Sequence, residues 1–217
     1  MEEYSVYNDI SKRTNGEFYL GVCGPVRTGK STFIKKFMEM FVLPGIKDEN
    51  DRKRAMDELP QSAEGKTIMT TEPKFIPKEA VKINLFDGND IKVRMVDCVG
   101  YIVEDAGGLM EGERERMVMT PWSEEPMPFA KAAEYGTKKV IHDHSTIGIV
   151  ITTDGSFGDI SRQSYKAAED KTISELKSIG KPFIVIVNSA NPFGEKAKDV
   201  INEIKERTGV TPVALNC

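Results

Sequence analysis

The chain has 217 residues, enough for one large domain whose core needs no covalent staples. A net charge of −4 removes the electrostatic case for nucleic acid as a partner. Cys23, Cys98 and Cys217 lack metal-ligand spacing and fit free thiols in a reducing cytosol, and no apolar run reaches membrane-spanning or signal-peptide character.

Residues 1–16 are polar and end in Thr14-Asn15-Gly16, a turn signal, so they read as an N-terminal arm before a domain spanning 17–217. Phe18–Cys23 is a short apolar run of strand length. It leads into Gly24-Pro25-Val26-Arg27-Thr28-Gly29-Lys30-Ser31, a complete G-x-x-x-x-G-K-[ST] match. Apolar residues then recur at 33, 34, 37, 38 and 41, one face of a helix. Strand, glycine loop and helix form the context in which this motif binds phosphate. Gly24 and Gly29 allow the tight turn that brings N–H groups onto phosphate oxygens, and the helix start aims its positive end at the same anion. The expected phosphate-binding set is Gly24, Pro25, Val26, Arg27, Thr28, Gly29, Lys30, Ser31 and Thr32. Lys30 is expected to hold the β/γ-phosphates and Ser31 to ligate Mg²⁺. Arg27, inside the loop, is a candidate built-in arginine finger, a device worth roughly 10³–10⁵ in rate.

Leu43-Pro44-Gly45 stops the first helix, and Lys47–Leu59 reads as a charged, solvated helix. Residues 60–73 are rich in hydroxyls and lie between the first helix and the next strand. In phosphate-loop switch proteins a threonine there closes over Mg²⁺ and the γ-phosphate. Thr70 and Thr71 are the candidates, with Thr67 in reserve. Lys74–Phe86 and Ile91–Val96 read as an antiparallel pair joined at Asp87-Gly88-Asn89-Asp90. The second strand delivers Asp97-Cys98-Val99-Gly100, a D-x-x-G. Asp97 is expected on the metal and the Gly100 N–H against the γ-phosphate.

Residues 101–128 read as a long irregular segment. Helical spacing resumes over Phe129–His144, where His142 and His144 stand two apart and so face apart on a helix. Ile147–Thr153 and Pro182–Val187 are buried strands. Asp159–Ile179, with Ile173, Leu176 and Ile179 as core positions, and Asp199–Arg207, through Val200, Ile201 and Ile204, are amphipathic helices. A last strand begins at Val213 and the chain stops at Cys217, which reads as a piece of a longer protein. The fold class is α/β, a P-loop NTPase with a mostly parallel sheet and one antiparallel edge strand.

Guanine-specific members of this superfamily follow the penultimate strand with Asn-Lys-x-Asp. Here Asn188-Ser189-Ala190-Asn191 replaces the lysine and the aspartate. Losing a charge-assisted bidentate acceptor removes roughly 1–3 kcal/mol of guanine preference per hydrogen bond. Asn188 and Ser189 therefore border an ATP site or one of relaxed base choice. After D-x-x-G stands Tyr101, a poor positioner of water.

GPVRTGKSTFIKKFMEM, DELPQSAEGKTIMTTEPKF, VDCVGY, TPWSEEPMPF, HSTIGIVITTDG and KPFIVIVNS together resemble the stage IV sporulation protein A family of spore-coat morphogenetic ATPases. The resemblance covers essentially the whole chain. It implies a translation-factor-related GTPase-like domain that hydrolyses Mg-ATP to drive self-assembly into a layer on the outer forespore surface, within the mother-cell cytoplasm. The family's phosphate-loop lysine corresponds to Lys30, its metal-side aspartate to Asp97 and its sensor threonines to Thr70 and Thr71. Members of the family are longer than this chain. Their C-terminal regions carry the contacts to other coat proteins and to a small amphipathic membrane-bound peptide. Two other readings stay open, a guanine-nucleotide switch and a nucleotide-binding scaffold without turnover.

Overall fold

A computed structural model of the chain describes residues 14, 16–60, 72–84 and 90–217. Six strands form the central sheet: β1 (Glu17–Cys23), β2 (Lys74–Asn84), β3 (Asp90–Asp97), β8 (Ile147–Thr153), β9 (Phe183–Asn188) and β10 (Val213–Leu215). Their order is β10-β9-β8-β1-β3-β2. All neighbours run parallel except β2 and β3, so the sheet is mostly parallel with one antiparallel edge strand, as the pattern predicts. The register of β2 on β3 shifts between Ile76 and Val81, around Pro77, which has no N–H to give a ladder.

Alternate residues of the parallel strands face opposite sides, and both sides are covered. Val22, Ile149, Ile151 and Ile186 pack with Ile34 of α1 (Lys30–Phe37) and with Met38, which follows it. Val150, Val185 and Val187 pack on the other face with Tyr165, Ile173 and Leu176 of α4 (Arg162–Ser178) and with Val200 and Ile204 of α5 (Glu195–Thr208). Strands buried on both faces explain the continuous apolar runs. Each such side chain contributes about 1.5–3 kcal/mol on burial. Helix α2 (Glu49–Asp57) lies on the surface, with Asp48 accepting from the N–H groups of Asn50 and Asp51 at its start. Helix α3 (Phe129–Lys139) buries Phe129, Ala132 and Ala133.

Three expectations need correction. The helical spacing puts Phe41 on the core face of the first helix, but it is 47% exposed. The backbone widens to a π turn over Met38–Val42, and the extra residue brings Val42 into the core in its place. Ile179 caps α4 and is 38% exposed, since the helix ends one residue before it. Residues 101–128 are not wholly irregular. They carry a hairpin of β4 (Met110–Glu111) with β5 (Arg114–Glu115) and a second of β6 (Met117–Thr120) with β7 (Ser123–Pro128). Trp122 at the second tip stacks on Tyr135 of α3, with centroids 5.3 Å apart. Among the described residues, no helix is long and apolar enough to cross a membrane.

Candidate functional site

The loop leaves β1 at the carboxyl end of the sheet, between β3 and β8. Its two glycines are required by contact as well as by φ. A Cβ on Gly24 (φ +123°) would lie 2.4 Å from Ile151 O, and one on Gly29 (φ +91°) 2.4 Å from Asn188 Nδ2. Thr28 staples the crest. Its hydroxyl lies 2.8 Å from Ile151 O and 3.0 Å from Pro25 O. Val26 is buried in the core and Arg27, with φ +59°, carries an exposed side chain. The Arg27 charge bears on the buried Tyr165 phenol of α4.

Helix α1 begins at Lys30 and no side chain caps it, so the N–H groups of its first turn, Thr32 included, are left for an anion. Lys30 Nζ donates to Pro25 O at 2.6 Å. Burial holds its pKa below the ordinary lysine value, although Cys98 and Asp97 pull the other way. Ser31 Oγ donates to Asp97 Oδ2 at 3.1 Å. The other oxygen, Asp97 Oδ1, is shut off from solvent and has no hydrogen-bond partner. Burial raises the Asp97 pKa, against the opposing pull of Lys30 and Ser31. A hydroxyl next to a carboxylate with one bare oxygen is the donor set that a hard, oxygen-seeking cation such as Mg²⁺ takes.

Gly100 sits over the loop with φ +96°. Its N–H, expected to face the γ-phosphate, donates instead to Thr137 Oγ1 of α3 at 3.1 Å. Asn188 links the loop to the far strands, since Nδ2 donates to Thr28 O at 3.1 Å and Oδ1 accepts from Cys217 N at 3.0 Å. Ser189 is fully buried and donates to Asp154 Oδ2 at 2.6 Å, so it faces the interior and not the rim. Thr67, Thr70 and Thr71 lie outside the described residues. The structure thus brings Lys30, Ser31, Asp97 and Gly100 together and sets Asn188 behind the loop.

A model of the family described as "Stage IV sporulation protein A, ATPase domain" matches residues 1–217. The chain belongs to that family. Proteins called stage IV sporulation protein A are 55% identical over 216 residues in Bacillus subtilis (strain 168) and 52% identical over 216 residues in Bacillus anthracis. Each comparison covers 100% of this chain and 44% of the relative. A namesake in Clostridioides difficile (strain 630) is 56% identical over 212 residues, 98% of this chain and 43% of the relative. The chain therefore spans under half the length of these curated relatives. An ATPase domain fits the phosphate-loop geometry above.

Two groups in this ATPase domain escape a reading by motif. One is Asp154, which accepts from Ser156 N at 2.9 Å and from Ser189. Burial would raise its pKa, but the hydrogen bonds from Ser156 and Ser189 outweigh it and leave the carboxyl below the ordinary aspartate value. The only local signal is Asp154-Gly155 closing a buried strand. The other is Glu169, fully buried in α4, which accepts from Arg162 Nη2 and Arg207 Nη2 at 2.8 Å each, and from Thr152 Oγ1 of β8. Nothing local marks it, because its partners come from three places in the sequence, 152, 162 and 207.

Proposed function

We propose that this chain hydrolyses Mg-ATP and that hydrolysis drives its assembly, as part of a longer protein, into a layer on the outer forespore surface in the mother cell. The observation that carries the enzymatic part is the Ser31–Asp97 pair with its unpartnered Oδ1, beside Lys30 at an uncapped helix start. Ser31 and Asp97 are the residues to hold Mg²⁺, which supplies charge neutralisation on the phosphates. Lys30 and the loop N–H groups bind and orient the triphosphate, and Arg27 is the candidate for charge on its outer oxygens. Water attacks the γ-phosphorus in line, the bond to the bridging oxygen breaks, and ADP and phosphate leave. Thr70 or Thr71 closes on the γ-phosphate and ties its loss to the 60–72 and 101–128 segments. The antiparallel β2–β3 pair delivering D-x-x-G supports a translation-factor-related GTPase-like class.

The base choice rests on Asn188–Asn191, which lacks the carboxylate that guanine needs. Self-association, contacts with other coat proteins and contact with a small amphipathic membrane-bound peptide rest on the family, with regions beyond this chain supplying the latter two. A scaffold that binds nucleotide without turnover is the second reading. It is favoured by Tyr101, whose hydroxyl bonds Glu175 and leaves no side chain there to orient water.

The test is phosphate release from ATP and from GTP, with Mg²⁺, by the wild-type chain and by Lys30→Ala. We expect turnover of ATP well above GTP, and a loss of about 10²-fold or more in Lys30→Ala, the size of removing one preorganised donor. Preference for GTP would overturn the base reading. Tight binding without release from either nucleotide would establish the scaffold.

A further inference from the structure

Tyr101 follows D-x-x-G and is 3% exposed. Its hydroxyl donates to Glu175 Oε2 of α4, and the other oxygen of Glu175 lies 2.9 Å from His142 Nε2. Burial, and then the Glu175 carboxylate, push the phenol's pKa up, so it stays a donor. Lys171 Nζ stands 4.7 Å from the ring centroid and pairs with Glu134 at 2.8 Å. The side chain is thus fastened to α4 on two sides.

The backbone of the same residue is fastened to the phosphate loop. Tyr101 N donates to Gly24 O at 3.0 Å, and Val26 N donates to Tyr101 O at 2.9 Å, a parallel bridge beside Pro25. This bridge presses Gly100 onto Lys30. A Cβ built on Gly100 would lie 2.6 Å from Lys30 Nζ and 2.3 Å from Gly24 O. Gly100 is thus packed so closely on the Lys30 ammonium and on Gly24 that not even a methyl group fits there.

We propose that Tyr101 is a positioning residue that latches Gly100 against Lys30, and that a nucleotide's γ-phosphate must open this latch. The inference rests on the loop's being an ATP site. An α- or β-phosphate engages the loop N–H groups and the start of α1 with the latch shut. A γ-phosphate binds only the open form. The latched fraction therefore lowers the affinity for a triphosphate and leaves that for a diphosphate unchanged. Because the anchor is Glu175, opening the latch also loosens a contact on α4. The γ-phosphate state is thereby passed from the loop to a helix on the sheet's far face.

The experiment compares Kd values for ADP and for a non-hydrolysable ATP analogue, each with Mg²⁺, in the wild-type chain, Tyr101→Phe and Glu175→Ala. Both variants remove the anchor, and the first keeps the buried ring. We expect the affinity for the analogue relative to ADP to rise about tenfold in each, the size of one hydrogen bond to a charged group. Amide hydrogen exchange at Val26 and Tyr101 gives a readout free of nucleotide. It should be slow in the empty wild-type chain, faster in both variants, and faster in the wild type on adding the analogue but not ADP. Equal losses of affinity for both nucleotides would make Tyr101 a packing residue and overturn the latch. So would unprotected amides in the empty wild type. Failure of the ATP-site reading looks different: the wild type binds neither nucleotide, and the latch falls with it.

Discussion

Asp97 and Glu169 are carboxylates set into opposite circumstances. Glu169 lies under β8 with Arg162, Arg207 and Thr152 turned onto it, and both of its oxygens are occupied. Asp97 lies at the end of β3 with one side-chain hydrogen bond, from Ser31, and an oxygen left bare. Buried polar atoms are nearly always paired, and the bare oxygen of Asp97 stands out because Ser31 and the Lys30 charge lie beside it, whereas the equally bare Asp170 Oδ1 belongs to a carboxylate already paired with Arg207. By partner count Glu169 is a structural carboxylate, and Asp97 is the one we propose to hold a cation.

The largest effect falls on the saturated site. Glu169→Ala takes the buried carboxylate from Arg162 and Arg207, which are only 15% and 25% exposed and keep Glu203 and Asp170 as partners, and should cost about 3 kcal/mol in urea unfolding. A loss below about 1 kcal/mol would show that the cluster is solvated and that the contrast with Asp97 is false.

Asp97→Asn should act the other way. Burial already disfavours its charge, so the nucleotide-free variant should unfold within about 1 kcal/mol of wild type. Its Mg-dependent phosphate release should drop about 10²-fold or more. A variant as unstable as Glu169→Ala would place Asp97 among the scaffold residues.

What was legible in the sequence follows the same division. The loop, the antiparallel edge pair and the placement of Asp97 are local patterns, where the strand and helix periods and two glycines suffice. The partners of Glu169, at 152, 162 and 207, meet only through the packing of α4 and α5 on β8. Ser189 stands in a motif that points to the base side. Its burial against Asp154, 35 positions away, is a tertiary fact. The hydroxyl of Tyr101 finds Glu175 across 74 positions, so identity alone told only what that side chain could not do. The short hairpins at 110–128 carry prolines and charges that mask strand character, and the π turn at Met38–Val42 breaks a period that the apolar residues otherwise keep.

The smallest effect belongs to Asp154, a carboxylate between the other two in kind. It follows β8, the strand beside β1, yet its oxygens are taken by Ser156 and Ser189, as those of Glu169 are taken. If partner count decides the role, Asp154 is scaffold. Asp154→Asn then loses stability, about 1.5 kcal/mol at neutral pH for a hydrogen bond to a charged group, and leaves ATP turnover within a few-fold of wild type. Its pH dependence has a fixed sign. The folded carboxyl titrates below the ordinary value of 3.8, so its stabilisation is fully present above that value and is lost as pH falls through the lower, folded one. The gap in urea midpoint between wild type and Asp154→Asn should stay constant from neutral pH down to about 5 and close below about 4. A gap that persists into stronger acid would mean that the amide disrupts packing and that charge plays no part. A collapse of turnover with stability intact would move Asp154 to the side of Asp97, and partner count would no longer separate scaffold from site.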